Sequence, residues 1–465
     1  MSKKRIACLA LGVIAAIAFF LIPPPAGLTA EAMQGIGILL CGIIWMVGAV
    51  FPDFAVMIAM LAAWVVLKIL PFATAFSAFS GTSFWLLLGA MVIGVAGSKS
   101  GLLMRIALAV LRVFPSNFQG QVLALLTSGL IISPLVPSTA AKAAIMGPIA
   151  KQISDTMGYE NQSRGSAGLF YAYFTGFTCF GPIFLSGSFI AYSMLGAMPE
   201  GFEGVTWIQW VYYALPWSIV MIVLSYIAIV LLFKPKGGTQ FDKATIADMS
   251  KALGPIKRDE WITLAVMGGC LVLWMLERTI DVSSAAVAVL AMTILVATKV
   301  LDKADFDKKV NWNLVFFIGA VISIGSMIKY LGIDVFIGDT LTPLMAPLVS
   351  RPIVFVLGFV AVVLLARFVI ASTLTTTVLF TVALVPFGLS VGISPWVIGF
   401  IAYVSVHVWF LRYQMPLYLT ANATAGNGEM LSQRQAALQS ASYIVISTIG
   451  LLVSLPWWKF LGLMP

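Results

Sequence analysis

The sequence predicts an all-α polytopic membrane protein with about 11 transmembrane helices and two re-entrant hairpins in an inverted repeat. Three observations carry that prediction. Of the 465 residues, 61% are hydrophobic and only 10% are charged, where a soluble domain carries about a quarter. Apolar runs recur from end to end, several exceeding the roughly 18–20 residues that cross a bilayer core as a helix. The two halves of the chain also repeat a series of landmarks in one order. Lipid offers the backbone no hydrogen-bond partners, so such runs close their own bonds as helices, and their continuity argues against an alternating barrel pattern.

Helix 1 is predicted over 5–22 and is stopped by Pro23, Pro24 and Pro25. Its apolar part exceeds a signal core and shows no small-residue cleavage site, so it reads as a retained span. Helices 2 and 3 cover 32–50 and 54–69, and helix 4 covers 84–95. A short basic amphipathic piece with Lys99, Arg105 and Arg112 follows. The stretch 121–155 is apolar but interrupted at Pro134, Pro137 and Ser138, which makes it the first hairpin. Helix 5 covers 168–198 with a break near Pro182 and Gly187, and helix 6 covers 205–233. A polar connector over 234–260 divides a first half, 1–233, from a second, 261–465. Helices 7, 8 and 9 cover 261–276, 282–297 and 312–329. The second hairpin, 352–387, breaks at Ser372. Helix 10 covers 395–422 with an irregular centre from Arg412 to Pro416, and helix 11 covers 441–461.

The net charge of +9 sits mostly in short loops, where Lys and Arg set orientation rather than bind nucleic acid. With the N-terminus cytoplasmic, Arg105, Arg112, Lys151, Arg164, Lys234, Lys236, Lys257, Arg258, Lys299, Lys308 and Lys309 fall inside. Glu200, Glu203, Glu277 and Asp281 then fall outside. The first hairpin opens to the cytoplasm and the second to the exterior. Cys8, Cys41, Cys179 and Cys270 lie within apolar runs and have no metal-ligand spacing.

Aligning Gly89-Ala90 with Gly319-Ala320 brings Gly101 to within one position of Gly332, and the Ser138-Thr139 pair close to Ser372-Thr373. The breaks of helices 5 and 10 then correspond too. Inverted repeats with interrupted helices near the midplane are the pattern of secondary transporters. Backbone amides freed at such breaks, with helix N-termini, favour anions.

Candidate binding groups gather at these breaks. Ser138 and Thr139 at the first tip either cap the helix that follows or coordinate an ion or carboxylate. Lys142, one turn on, is costly in lipid and either faces a cavity or snorkels. Ser372, Thr373, Thr375, Thr376 and Thr377 mark the second tip, where hydroxyls line a cavity or bond back to their own helix. Arg367 and Arg412 read as intramembrane arginines, suited to bidentate carboxylate binding or to pairing with carbonyls. Ser186, Gly187 and Ser188 form one small-residue break, and Tyr413 and Gln414 its counterpart. His407, the single histidine, reads as a packed polar group rather than a proton relay.

The segments FSAFSGTSFWLLLGA and GLLMRIA, the two Ser-containing tips and the broken helices 5 and 10 resemble the divalent anion:sodium symporter family. The resemblance covers nearly the whole chain. It implies two hairpins tipped by Ser-Asn-Thr signatures that hold carboxylates and sodium, and a homodimer with scaffold and mobile transport domains. Here Ser138 and Ser372 match. Thr139 and Thr373 stand in place of Asn, and Ala140 and Leu374 in place of Thr. Together with Lys142, a fixed ammonium in the place of a bound sodium, these departures resemble the exchanger branch of dicarboxylate and tartrate/succinate antiporters.

The sequence therefore predicts a carrier of di- or tricarboxylate-type anions in the cell inner membrane, working by exchange. Sodium-coupled symport of a dicarboxylate or of sulfate is the alternative. The partners expected are a small organic anion, the lipid bilayer and a second copy of the chain. Sodium is the one ion the resemblance admits, and no other cofactor is expected. A channel is a further reading. An intramembrane enzyme needs paired catalytic groups, and the spans hold almost no acids. No Walker pattern is present.

Overall fold

The computed structural model describes residues 3–199, 202, 204–235, 237 and 243–465. Glu200, Glu203 and Lys236, used above to orient the chain, lie outside the described residues. The described residues form helices without strands. Seven helices are long and apolar enough to cross a membrane by length and composition, and five shorter apolar helices accompany them.

Eleven spans and two hairpins account for these elements. The first spans are Lys3–Leu21, Ala30–Val47, Asp53–Val66 and Thr82–Ser100. The first hairpin pairs Phe118–Ile132 with Thr139–Thr156. A broken span follows, Arg164–Phe174 and Phe189–Gly196, and then Trp207–Leu232. The second series is Arg258–Met275, Ser284–Ala297 and Trp312–Tyr330, then a hairpin of Pro352–Ala366 and Thr373–Ser390. It closes with the broken span Pro395–Ser405 and Pro416–Thr424, and with Gln433–Phe460.

From Ala30 onward the second series repeats the first, element for element. Five crossings separate the starts of the two series, and an odd number puts the second copy upside down. Packing follows the same exchange. Thr82–Ser100 lies against Ser284–Ala297, and its counterpart Trp312–Tyr330 lies against Asp53–Val66. Each pair joins an element of one half to an element of the other. Trp207–Leu232 packs along its own counterpart Gln433–Phe460, pinned by Trp217 Nε1 donating to Ser447 Oγ at 3.1 Å and Trp458 Nε1 to the Tyr213 carbonyl at 2.9 Å. The opposite side of Trp207–Leu232 exposes Ile208, Leu215, Ile219, Val223, Ile227 and Leu231. A helix apolar on both faces is a lipid-facing span.

Elements outside the sequence expectation include Lys243–Ala252 within the polar connector, Lys303–Lys309 and Ile333–Val349, besides the single turns Phe72–Ala75 and Glu277–Ile280. Ile333–Val349 takes the place in the second half that Leu102–Val113 has in the first. Pro343 and Pro347 lie inside it, which breaks the helical signal that hydropathy reads. The last span starts eight residues before the predicted Ala441, because Ser432 and Gln435 form a capping box ahead of the apolar run.

Candidate functional site

Each hairpin turns at a serine that caps its second limb. Ser138 Oγ accepts from the Ala141 N–H at 3.2 Å, and Ser372 Oγ accepts from the Thr375 N–H at 3.1 Å and from the Thr375 hydroxyl at 2.8 Å. The limbs end in extended or 3-10 backbone because Pro134 and Pro137 in one, and the capping serine in both, cannot continue the incoming helix.

The tips meet at open space. A cavity of about 540 Å³ is lined by Ser138, Thr139, Ala140 and Ala141 of the first tip and by Thr373 and Leu374 of the second. Ser188, at the break of the fifth span, also lines it. A neighbouring cavity of about 630 Å³ is lined by Ser372, Thr373 and Thr375. Thr373, Leu374, Asn311, Leu314 and Leu417 line both. The walls thus carry hydroxyls and two helix N-termini on an apolar background, a surface that offers donors to an anion at low local polarity.

Behind each tip stands a buried basic side chain. Lys142 is 1% exposed and its Nζ donates to the Gly187 carbonyl at 2.9 Å and to Ser133 Oγ at 3.3 Å. Arg367 is fully buried and donates to the Ile370 carbonyl at 2.5 Å and to the Gln414 carbonyl. Neither takes part in an ion pair with a carboxylate among the described residues. Gly187 and Gln414 both end a 3-10 turn at the break of a discontinuous span. Each cation therefore ties its hairpin to the break of the span beside it.

A second tie has the same symmetry. Ser186 Oγ donates to the Pro134 carbonyl at 2.6 Å, and the Tyr413 hydroxyl donates to the Phe368 carbonyl at 3.0 Å. When the tips are aligned at Ser138 and Ser372, Pro134 falls on Phe368, Ser133 on Arg367, and Lys142 on Thr376. The cation has thus changed limbs between the halves. The first half places it after the tip with a hydroxyl before. The second places it before the tip with the Thr376 hydroxyl after, bonded to the Ser372 carbonyl at 2.8 Å. The two halves thus each place one basic side chain behind the tip, on opposite limbs of the hairpin.

The remaining candidates separate from these. Thr377 bonds back to the Thr373 carbonyl at 2.9 Å. Arg412 is exposed, donates to Gln433 Oε1 at 3.3 Å and lines neither cavity. The buried Gln414 side chain accepts from the Leu411 N–H at 2.8 Å. His407 is buried between Tyr403 and Tyr443, with ring centroids 5.8 and 5.7 Å away. Gly187 is required at its position, since a Cβ there would lie 2.3 Å from the Gly181 carbonyl oxygen.

Asn311 is absent from the sequence candidates yet lines both cavities. Its Oδ1 caps Trp312–Tyr330 by accepting from the Leu314 N–H at 3.2 Å, which leaves its amide N–H groups for a ligand. The sequence signal was an Asn directly before an apolar run, which reads first as a cap.

An inverted repeat of helices, with two re-entrant tips and two broken spans around one polar opening, defines a membrane transport protein rather than an enzyme. The chain belongs to the family described as the sodium:sulfate symporter transmembrane region, whose model matches residues 3–464. It is 27% identical to a putative malate transporter of Bacillus subtilis (strain 168), the match covering 71% of each chain. It is 29% identical to the chloroplastic dicarboxylate transporter 2 of Spinacia oleracea over 68% of this chain and 57% of that one, so under two thirds of the plastid protein is spanned. It is 26% identical to an L-tartrate/succinate antiporter of Escherichia coli, over 79% of this chain and 80% of that one. Among solved structures, the Alcanivorax borkumensis YdaH transporter shares the fold, with a TM-score of 0.59, 14% identity and coverage of 99% and 98%.

Proposed function

We propose that this protein exchanges small dicarboxylate-type anions across the cell inner membrane, with its N-terminus in the cytoplasm and as a homodimer. The observation that carries the reading is the pair of buried cations, Lys142 and Arg367, one behind each tip and neither paired with a carboxylate among the described residues. A body holding two uncompensated positive charges crosses a low-dielectric layer at a penalty of several kcal/mol per ion, even after relaxation. A bound dianion cancels both charges. Each crossing then needs an anion aboard, and exchange follows from electrostatics.

The names of the relatives support the substrate class: a malate transporter, a dicarboxylate transporter and a tartrate/succinate antiporter. Ser138, Thr139, Ser188 and Thr373 are the proposed carboxylate contacts, with Ser372, Thr375 and Thr376 shaping the second tip. Ser186, Gly187, Tyr413 and Gln414 hold the breaks in place, and Arg412 stands at the outer edge of the second break. Sodium coupling is the less favoured reading, because the carbonyls of Gly187 and Gln414 at the two breaks already accept from cationic side chains.

Counterflow in proteoliposomes tests the proposal. Labelled succinate is offered outside vesicles loaded with succinate, malate, 2-oxoglutarate, citrate, tartrate or sulfate, with and without sodium. Accelerated uptake by internal dicarboxylates without sodium is the expected result. No exchange of any dianion, or strict dependence on sodium, overturns it.

A further inference from the structure

The 540 Å³ cavity between the tips has two charged residues in its lining, Lys99 and Lys309. Lys99 comes from the last turn of Thr82–Ser100, and Lys309 from the end of Lys303–Lys309. Two hundred residues apart in sequence, they converge on one carboxylate. Lys309 Nζ lies 2.8 Å from Asp305 Oδ1, and Lys99 Nζ bonds Asp305 Oδ2 and reaches Asp302 Oδ2 at 3.4 Å.

Asp305 is built as a fixed post. Its side chain is 6% exposed. The Asp302 N–H donates to Asp305 Oδ2 at 3.0 Å, and the Asp305 N–H donates to Asp302 Oδ1 at 2.9 Å, a reciprocal cap on a helix of about two turns. Its two oxygens are therefore fully engaged. The ammonium groups are not: each has three donors, and Lys309 is bonded through one in this cluster while Lys99 is bonded through two. The lysine side chains are 51% and 29% exposed. Holding two long side chains at one carboxylate removes much of the rotamer entropy that a flexible lysine loses on binding a ligand.

On the exchange reading above, we infer that Lys99 and Lys309, aligned by Asp305, form a separate carboxylate-capture site at the mouth of the cavity. It receives one carboxylate of an entering dianion before the tips take it. The Asp302 and Asp305 charges keep the mouth near neutrality, so the captured anion is released inward rather than trapped. The site is distinct from the tips and serves one face of the membrane only.

The test uses the full-length carrier in proteoliposomes of uniform orientation, with labelled succinate as the probe and counter-succinate on the other side. An exposed ammonium–carboxylate pair is worth about a twofold to fivefold change in affinity. The Lys99→Gln/Lys309→Gln double variant should therefore raise KM about fivefold to twentyfold for succinate offered at the lysine face. Vmax and the KM at the opposite face should stay put, and added salt, by screening the Asp302 and Asp305 charges left unpaired in the variant, should narrow its gap from wild type. The Lys99→Arg/Lys309→Arg variant should keep most of the wild-type KM. Lys309→Gln alone, with a half-exposed side chain, should show a rise of about twofold to fivefold and carries the test if the double variant does not fold. An unmoved KM, or one that rises equally at both faces, overturns the capture site while leaving exchange standing. A wild-type carrier that exchanges no dianion overturns the exchange reading and the capture site with it.

Discussion

Replacing Lys142 by methionine removes the charge behind the first tip at nearly constant volume. Ser138 and Lys142 are four residues apart at the start of one helix, about 6 Å along its axis. We take roughly 7 Å as the working separation between Nζ and a carboxylate seated at the Ser138 cap. At an effective dielectric constant of about 20, the attraction lost is about 2.4 kcal/mol, or close to 50-fold in affinity. The cost to the fold is offset. Gly187 loses its donor at 2.9 Å, worth about 1–3 kcal/mol, but the fold no longer buries an ammonium without a carboxylate. Lys142→Met should therefore keep its thermal unfolding temperature within a few degrees of wild type. Its exchange KM for succinate should rise by about 50-fold, and added sodium should restore part of the rate. Thermal melts in detergent and counterflow at graded succinate, each with and without sodium, measure all three. Wild-type KM without sodium in a folded Lys142→Met protein refutes the electrostatic role.

Arg367→Lys keeps the charge but loses the fork that reaches both Ile370 and Gln414; counterflow should fall about tenfold, while Arg367→Met should abolish exchange and leave detectable folded protein on size exclusion. Gly129→Ala places a Cβ 2.2 Å from the Gly176 backbone, so overpacking of the first hairpin against the fifth span should cost about 1–3 kcal/mol and lower the melting temperature. Ser186→Ala removes bonds to the Pro134 carbonyl and from Trp207 Nε1 and should destabilise by about 1–2 kcal/mol, more than Tyr413→Phe, which removes one. Burial alone would raise the Asp305 carboxyl, but the Asp302 N–H, Lys309 and Lys99 outweigh it and hold it well below the usual carboxylate range. Its folded value is depressed, so its stabilisation is complete above about pH 4 and is lost only as pH falls through that lower value. Asp305→Asn should thus melt lower than wild type at pH 7, and the gap should narrow below about pH 4.

Much of this architecture is written in the chain at low resolution. Apolar runs place nearly every span, and the serines at 138 and 372 mark both tips because a capping hydroxyl between prolines or apolar residues has few other uses in lipid. The breaks at Gly187 and Gln414 were also legible, from small or polar residues inside an apolar run. The direction of side chains was not. Lys142 and Arg367 read alike as intramembrane cations with Arg412, yet two are buried against break carbonyls and the third bonds Gln433 at the exposed edge. Periodicity cannot separate them, because in a helix apolar on both faces the hydrophobic pattern has no preferred side. The exchange of limbs between Lys142 and Arg367 hides the symmetry further, since Lys142 aligns with Thr376 and Arg367 with Ser133. The Lys99–Asp305 contact spans 206 residues, and nothing local announces it.

On the exchange mechanism proposed above, the loaded carrier crosses neutral and the empty one crosses with two unpaired positive charges. Net uptake of labelled succinate into anion-free vesicles, with the membrane potential clamped at zero, measures it directly against uptake into succinate-loaded vesicles. A residual penalty of about 3 kcal/mol predicts that loaded vesicles fill at least about a hundredfold faster, with or without sodium. Equal initial rates in empty and loaded vesicles would contradict the claim.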